Sequence, residues 1–263
     1  MELDSAERDL GVCCGSFYNN PHVGKLLDGI FHPGGLALSR LMTTKMGLDV
    51  DSVVLDIACG DGRTATYLAR AIGCFVLGID ASDDMIQAAL QRARDVRIEE
   101  KTDFRVAVAG KIPLEANSFT HALSECALCT FLDKVAAVEE ISRVLQPGGV
   151  FGLNDVTLEQ PNRLDDELRG LLGKVACVAD ALSSGKYVEL FESRGFRLLD
   201  SSKHSSLLEE MTRKAEGRAR FLMDLGTNDE KTKMSDALRI IGLINQQIST
   251  GNLGYEMFIF QLD

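Results

Sequence analysis

Two cysteines stand three residues apart in SECALC (124–129), and another, Cys177, lies further along the chain. Thiolate sulfur is soft, both a nucleophile and a ligand for thiophilic centres. The stretch FTHALSEC (119–126) reads as a strand, so Cys126 and Cys129 fall where that strand runs out into a loop. In an open parallel sheet the carboxyl ends of the strands are where ligands sit. A second group lies upstream in DIACGDG (56–62), with glycines at 60 and 62 between a strand and a helix. Small residues there let the backbone approach a ligand at a helix N-terminus. Asp80 closes the following strand, placed to accept hydrogen bonds from ribose hydroxyls. The full dinucleotide fingerprint is absent, because residues 60–65 read GDGRTA, with Ala65 in place of the last glycine. His32 in FHPGG is either a general base for an oxygen or nitrogen nucleophile or simply a turn histidine. Tyr18 could offer its ring face to a cationic group, and Asn154 and Asp155 end a later strand, with helix capping the plainer role for Asp155.

Seven cysteines (13, 14, 59, 74, 126, 129, 177) are an odd number without the spacing of a small disulfide scaffold, and are read as thiols. Cys59 reads as a small loop residue and Cys74 as core. A zinc set from His121, Cys126 and Cys129 lacks a fourth ligand, and strand alternation points 121 and 126 to opposite faces. No metal site is expected.

The elements that must position these residues alternate. VVLDI (53–57), FVLGI (75–79), DFRVAV (103–108), FTHALSEC (119–126) and VFGLND (150–155) read as strands. Helical patterns fall between them at 63–72, at about 83–95 behind Ser82 as N-cap, and at 134–145 before the stop PGG (147–149). Two more strands are expected at 195–200 and 254–261, with helices at 206–224 and 230–248 between them. The expected fold is α/β: a Rossmann-like, doubly wound, seven-stranded, mostly parallel sheet. Residues 1–45 are expected to form an N-terminal lid, 46–202 with 252–263 the main domain, and 203–251 a helical insertion or cap.

The chain has 263 residues, 25% of them charged, with a net charge of −11, which disfavours attraction to phosphate backbones and hence a nucleic-acid partner. The N-terminus has no apolar signal core and no run of 18 apolar residues occurs, so a cytoplasmic protein acting away from membranes is expected. The expected partner is a small molecule or a metalloid, with the chain a monomer or homodimer.

Taken together, DIACGDG, GID (78–80) and ISRVLQPGGVFGLND (141–155) resemble the class I S-adenosylmethionine-dependent methyltransferases over roughly residues 50–200. The resemblance implies S-adenosyl-L-methionine as cofactor, held by Asp56, Ala58, Gly60, Gly62, Asp80, Ala81, Met85 and Glu125. The acid that many of these enzymes carry after strand three is missing from AVAGKIPL (107–114), which leaves backbone groups of Val108, Ala109 and Gly110 for adenine. The run from SECALC to GLNDV, with GLLGKVACVADALSSGKYVELFESRGF (170–196), resembles the arsenite methyltransferase branch. There Cys126 and Cys177 match the metalloid-binding cysteines, while Cys129 is additional and the last 60 residues lack the branch's cysteine-rich tail. Three functions stay open: methylation of a soft acceptor, with trivalent arsenic foremost; methylation of an ordinary small metabolite at O, N, C or S, with the cysteines as lining; or non-catalytic binding of S-adenosylmethionine or a metalloid.

Overall fold

The computed structural model describes residues 13–17, 20–170, 173, 176–225 and 227–263. Tyr18, a candidate from the sequence, lies outside them. Seven strands form one sheet: β1 Val53–Ile57, β2 Phe75–Asp80, β3 Thr102–Val106, β4 Phe119–Glu125, β5 Leu145–Leu158, β6 Phe196–Lys203 and β7 Leu253–Leu262. Their order is β3-β2-β1-β4-β5-β7-β6; the first five pair in parallel, while β7 runs antiparallel to β5 and β6. The expected α/β sheet is therefore present. Strand order reverses between β1 and β4, whose ends meet at Ile57 and Ser124, and that switch point opens a crevice at their carboxyl ends.

The helices are α1 Pro21–Leu27, α2 Gly35–Met46, α3 Arg63–Ala71, α4 Asp83–Val96, α5 Lys134–Val144, α6 Ser184–Glu192, α7 Ser205–Leu225 and α8 Asn228–Ser249. Local chemistry explains several boundaries. Ser82 caps α4 by accepting from the Met85 N–H, and Asp83 and Asp84 add negative charge to its first turn. Asp133 caps α5 through the Ala136 N–H at 2.9 Å.

One face of the sheet packs around Leu38, Met42, Leu68 and Met257, the other around Leu55, Phe151, Phe191 and Phe260. On the second face Phe191 stacks between Phe151 and Phe260, with ring centroids 5.0 and 4.4 Å away. Helix α7 reaches the N-terminal region, where Arg218 donates to the Leu26 carbonyl and pairs with Asp28 at 2.9 Å. Among the described residues no helix is long and apolar enough to cross a membrane.

Two boundaries differ from expectation. β5 runs on to Leu158 because β7 keeps pairing with it as far as Leu158 and Leu253, so Asp155 lies inside a strand and caps no helix. β3 stops at Val106, and Val108 instead bridges to Lys111 in a tight turn.

Gly62 shows how sequence sets the crevice. It starts α3 at φ 70°, and a Cβ there would sit 2.7 Å from Ala89 Cβ and 3.0 Å from the Phe104 ring. Gly62→Ala is expected to destabilise the fold by about 3 kcal/mol, combining left-handed backbone strain with overpacking; urea unfolding of the purified variant would measure it.

Candidate active site

The loop after β1 carries three left-handed residues in a row of five, Ala58 (φ 58°), Gly60 (54°) and Gly62 (70°). Its N–H groups are tied down separately, Cys59 to the Ile79 carbonyl and Gly62 to the Cys59 carbonyl. Asp80, at the end of β2, secures it: one carboxylate oxygen accepts from Gly60 N–H at 3.0 Å and the other from Ser82 N–H at 2.9 Å. Burial raises the Asp80 carboxyl above its ordinary range against those bonds. Asp56 is raised well above it, first by burial and then by the charges of Glu125 and Asp80. One Asp56 oxygen, Oδ2, is buried with no hydrogen-bond partner. Four carboxyls line the crevice, the buried Asp56 with its orphaned oxygen and the half-buried Asp61, Asp80 and Glu125, against one guanidinium, Arg63, which pairs with Asp61, so the site is short of positive charge. The ammonium and sulfonium of S-adenosylmethionine are cations of the right kind, so the residues present fit that group.

The crevice is a cavity of about 400 Å³, walled by the β1 loop, the end of β2, the turn before α2, the turn after β3 and the loop after β4. Asp56, Ala58, Gly60, Asp80, Ala81, Met85, Val108, Ala109 and Glu125 all line it, as do His32, Cys126 and Cys177. Four residues expected in the site stand off the wall. Gly62 faces Ala89 and Phe104, as described above, and Gly110 lies beyond the lining turn. Cys129 is 1% exposed and packs behind Cys126, because the turn 128–130 folds it into the core. Asn154 is fully buried and spends its side-chain amide on Glu125.

The thiols converge. Cys126 and Cys177 both hold left-handed backbone conformations, φ 55° and 62°, which cost a non-glycine residue of order 1 kcal/mol or more. The Cys177 Sγ donates to the Cys126 carbonyl at 3.0 Å. The Cys126 thiol is held well above the usual cysteine range by its hydrogen bond with the Cys177 thiol and then by burial. Cys129 is raised too, by burial first and by Cys177 second. Cys14 lines the same cavity, and its thiol is pushed up to about 12 by burial, with Cys177, Cys13 and Asp80 adding negative charge nearby. At neutral pH these groups are thiols, so a soft ligand binding them displaces protons. His121 takes no part: its ring nitrogens face Thr120 Oγ1 and the Met46 carbonyl. Among the described residues no group of three or more His, Cys, Asp or Glu side chains is disposed to hold a metal ion.

Asp155 lies under the thiols, accepting from Cys129 N–H at 2.8 Å and from its neighbour Val156 N–H. Burial, then the nearby Cys177 sulfur, raises its carboxyl to about 7. In the unfolded chain it ionises near pH 4, so between about pH 4 and 7 the folded state binds the extra proton and stability falls as pH rises. The cost above pH 7 is at most about 4 kcal/mol. Asp155→Asn keeps an acceptor for Cys129 and removes the charge. It is expected to flatten the pH dependence and to be the more stable protein at pH 8; denaturant unfolding at pH 5 and pH 8 would check this.

Sequence reasoning missed the partners of Glu125. Ser39 Oγ on α2 donates to both its carboxylate oxygens (3.0 and 2.9 Å), Thr64 Oγ1 donates at 2.8 Å, and Asn154 Nδ2 at 2.9 Å. His32 Nε2 lies 3.7 Å from Glu125 Oε2. Ser39 and Thr64 carry no motif; the packing of α2 on the sheet brings in Ser39, and the start of α3 brings in Thr64.

A family model described as "Methyltransferase domain" matches residues 55–153, which include the β1 loop, Asp80 and Glu125. An uncharacterised protein of Haemophilus influenzae is 30% identical over 172 residues, covering 64% of this chain and 68% of that protein. Methyltransferase GfsG of Streptomyces halstedii is 27% identical over 169 residues, covering 63% of this chain and 60% of GfsG. In structure the chain is similar to the [4+2]-cyclase SpnF, with a TM-score of 0.78 at 20% identity over 97% of this chain and 96% of SpnF, a likeness of fold. With the glycine loop, the acid at Asp80 and the seven-stranded order all in place, the chain belongs to the class I S-adenosylmethionine-dependent methyltransferases.

Proposed function

We propose that this enzyme transfers a methyl group to a small soft acceptor, with trivalent arsenic held by Cys126 and Cys177 as the leading candidate. The observation that supports it is convergence: Cys14, Cys126 and Cys177, from three distant parts of the chain, line one cavity beside Gly60 and Asp80. In this reading the β1 loop and Asp80 hold S-adenosylmethionine, which supplies an electrophilic methyl group. The thiols hold the acceptor in line with it, so that positioning carries most of the rate. The turn before α2 and the segment around Cys14 cover the site and exclude water. Left-handed strain at Cys126 and Cys177 fits side chains whose direction matters more than backbone comfort.

The test is to incubate reduced protein with S-adenosylmethionine, arsenite and excess thiol, and to measure methylated arsenic and S-adenosylhomocysteine. Both products are expected together. Cofactor binding without S-adenosylhomocysteine under any acceptor would instead identify a non-catalytic binder. A second reading, an organic acceptor with structural cysteines, has its own support: the buried Cys177 thiol is engaged with the Cys126 carbonyl. It predicts that Cys126→Ser and Cys177→Ser leave most activity intact.

A further inference from the structure

Residues 107–114, AVAGKIPL, follow β3, and Ala107, Val108 and Ala109 line the cavity beside Asp80. Their side chains carry no polar atom, so the hydrogen bonds this wall can offer a ligand come from its backbone. Backbone recognition is effective where the donors and acceptors are aimed before the ligand arrives. Two bonds shape the turn locally: Ala107 N–H donates to the Asp80 carbonyl at 2.9 Å, and Lys111 N–H to the Val108 carbonyl at 3.1 Å.

A stronger hold comes from α5. Glu140 Oε2 accepts from Ile112 N–H at 2.6 Å. Arg143 donates from Nη2 to the Ile112 carbonyl and from Nη1 to the Leu114 carbonyl, both at 2.8 Å. The two side chains also grip each other, Arg143 Nε donating to Glu140 Oε1 at 2.7 Å and Nη2 to Oε2 at 2.9 Å. Arg143 holds the Glu140 carboxyl below its ordinary range, so the pair is charged at neutral pH. An ion pair on a helix surface contributes little by itself. This one directs three bonds at the backbone of the segment that walls the cavity, and the planar fork of arginine is what lets one side chain reach two carbonyls.

We infer that Glu140 and Arg143 are positioning residues for the cofactor: they fix the 107–114 turn so that its backbone reads the adenine base. The placement selects the base. An acid closing the second strand takes ribose hydroxyls, and Ala107 is bonded to the main chain of that acid, so the turn adjoins the ribose end of the site. Ile79, Met85, Val108 and Ala109 give this part of the cavity apolar walls suited to a flat heterocycle. The N1 and amino edge of adenine asks for one donor and one acceptor, which the N–H and carbonyl groups of a held turn supply. The inference is independent of the methyl acceptor.

S-adenosylhomocysteine and its hypoxanthine counterpart, S-inosylhomocysteine, differ only at that edge of the base. Isothermal titration of the wild type should show the adenine form binding at least about 10-fold more tightly. In Arg143→Ala, and to a smaller extent in Glu140→Gln, this ratio should shrink severalfold, because S-adenosylhomocysteine weakens while the hypoxanthine form changes little. A merely structural role would weaken both ligands alike and leave the ratio where it was. Hydrogen exchange on the wild type needs no variant, and S-adenosylhomocysteine should slow it across residues 107–114. A ratio unchanged in both variants, a wild type without preference for adenine, or a turn whose exchange ignores the ligand would each overturn the proposal. A wild type that binds neither nucleoside would bring down the cofactor site itself and the inference with it.

Discussion

Asp80→Ala should lose S-adenosylmethionine binding by at least about 100-fold while still folding. One carboxylate does two jobs at this position. It fixes the β1 loop through Gly60 N–H and the start of α4 through Ser82 N–H, and it lines the cavity where ribose hydroxyls are expected. Removing it leaves the Gly60 and Ser82 N–H donors, both at least half-buried, unpaired and frees a loop whose left-handed residues hold its shape only while anchored. Hydrogen bonds to a charged acceptor are worth about 1.5–3 kcal/mol each, and losing those to the ribose as well makes a hundredfold effect a modest expectation. Burial of an acid that is raised above its ordinary range makes the fold tolerate its loss. Isothermal titration of wild type and variant with S-adenosylmethionine, beside thermal unfolding of both, would separate lost binding from lost folding.

On the proposed arsenic reading, Cys177→Ser should abolish arsenite methylation, with turnover falling by three orders of magnitude or more, and leave S-adenosylmethionine affinity within about twofold. The exchange of sulfur for oxygen is nearly isosteric, and a serine hydroxyl can still donate to the Cys126 carbonyl, so the local structure survives. What changes is ligand softness, which decides affinity for a thiophilic centre. Cys177 lies in the segment after β5, buried, and its Sγ donates to the Cys126 carbonyl in the cavity wall. Cys126→Ser should behave alike. Steady-state rates with arsenite, set against cofactor affinity for each variant, would measure the split. A loss of activity accompanied by equal loss of cofactor binding would point to a structural role.

Much of the cofactor side of the site is legible in the sequence because it is built from local rules. A β-branched run ending in glycines, an acid closing the next strand, and Ser82 ahead of two aspartates each have a short-range physical cause. Gly60, Asp80, Ala81 and Met85 consequently line one cavity. The acceptor side is a product of tertiary packing. No spacing rule links Ser39 to Glu125, which meet only because α2 packs across β5 beside the end of β4. Nor does spacing distinguish Cys126, half-buried in the wall, from Cys129, three residues on and sealed in the core. The turn at 128–130 and the Asp155 carboxylate decide that difference. The length of β5 is likewise set by its distant partner β7, not by PGG or the residues that follow it.

X-ray absorption at the arsenic edge, on reduced protein loaded with arsenite and S-adenosylhomocysteine, would test the account's central claim most directly. The account predicts a first shell dominated by sulfur, which loses one sulfur in Cys126→Ser and in Cys177→Ser. An oxygen-only shell, or a sulfur shell that both variants leave unchanged, would contradict it.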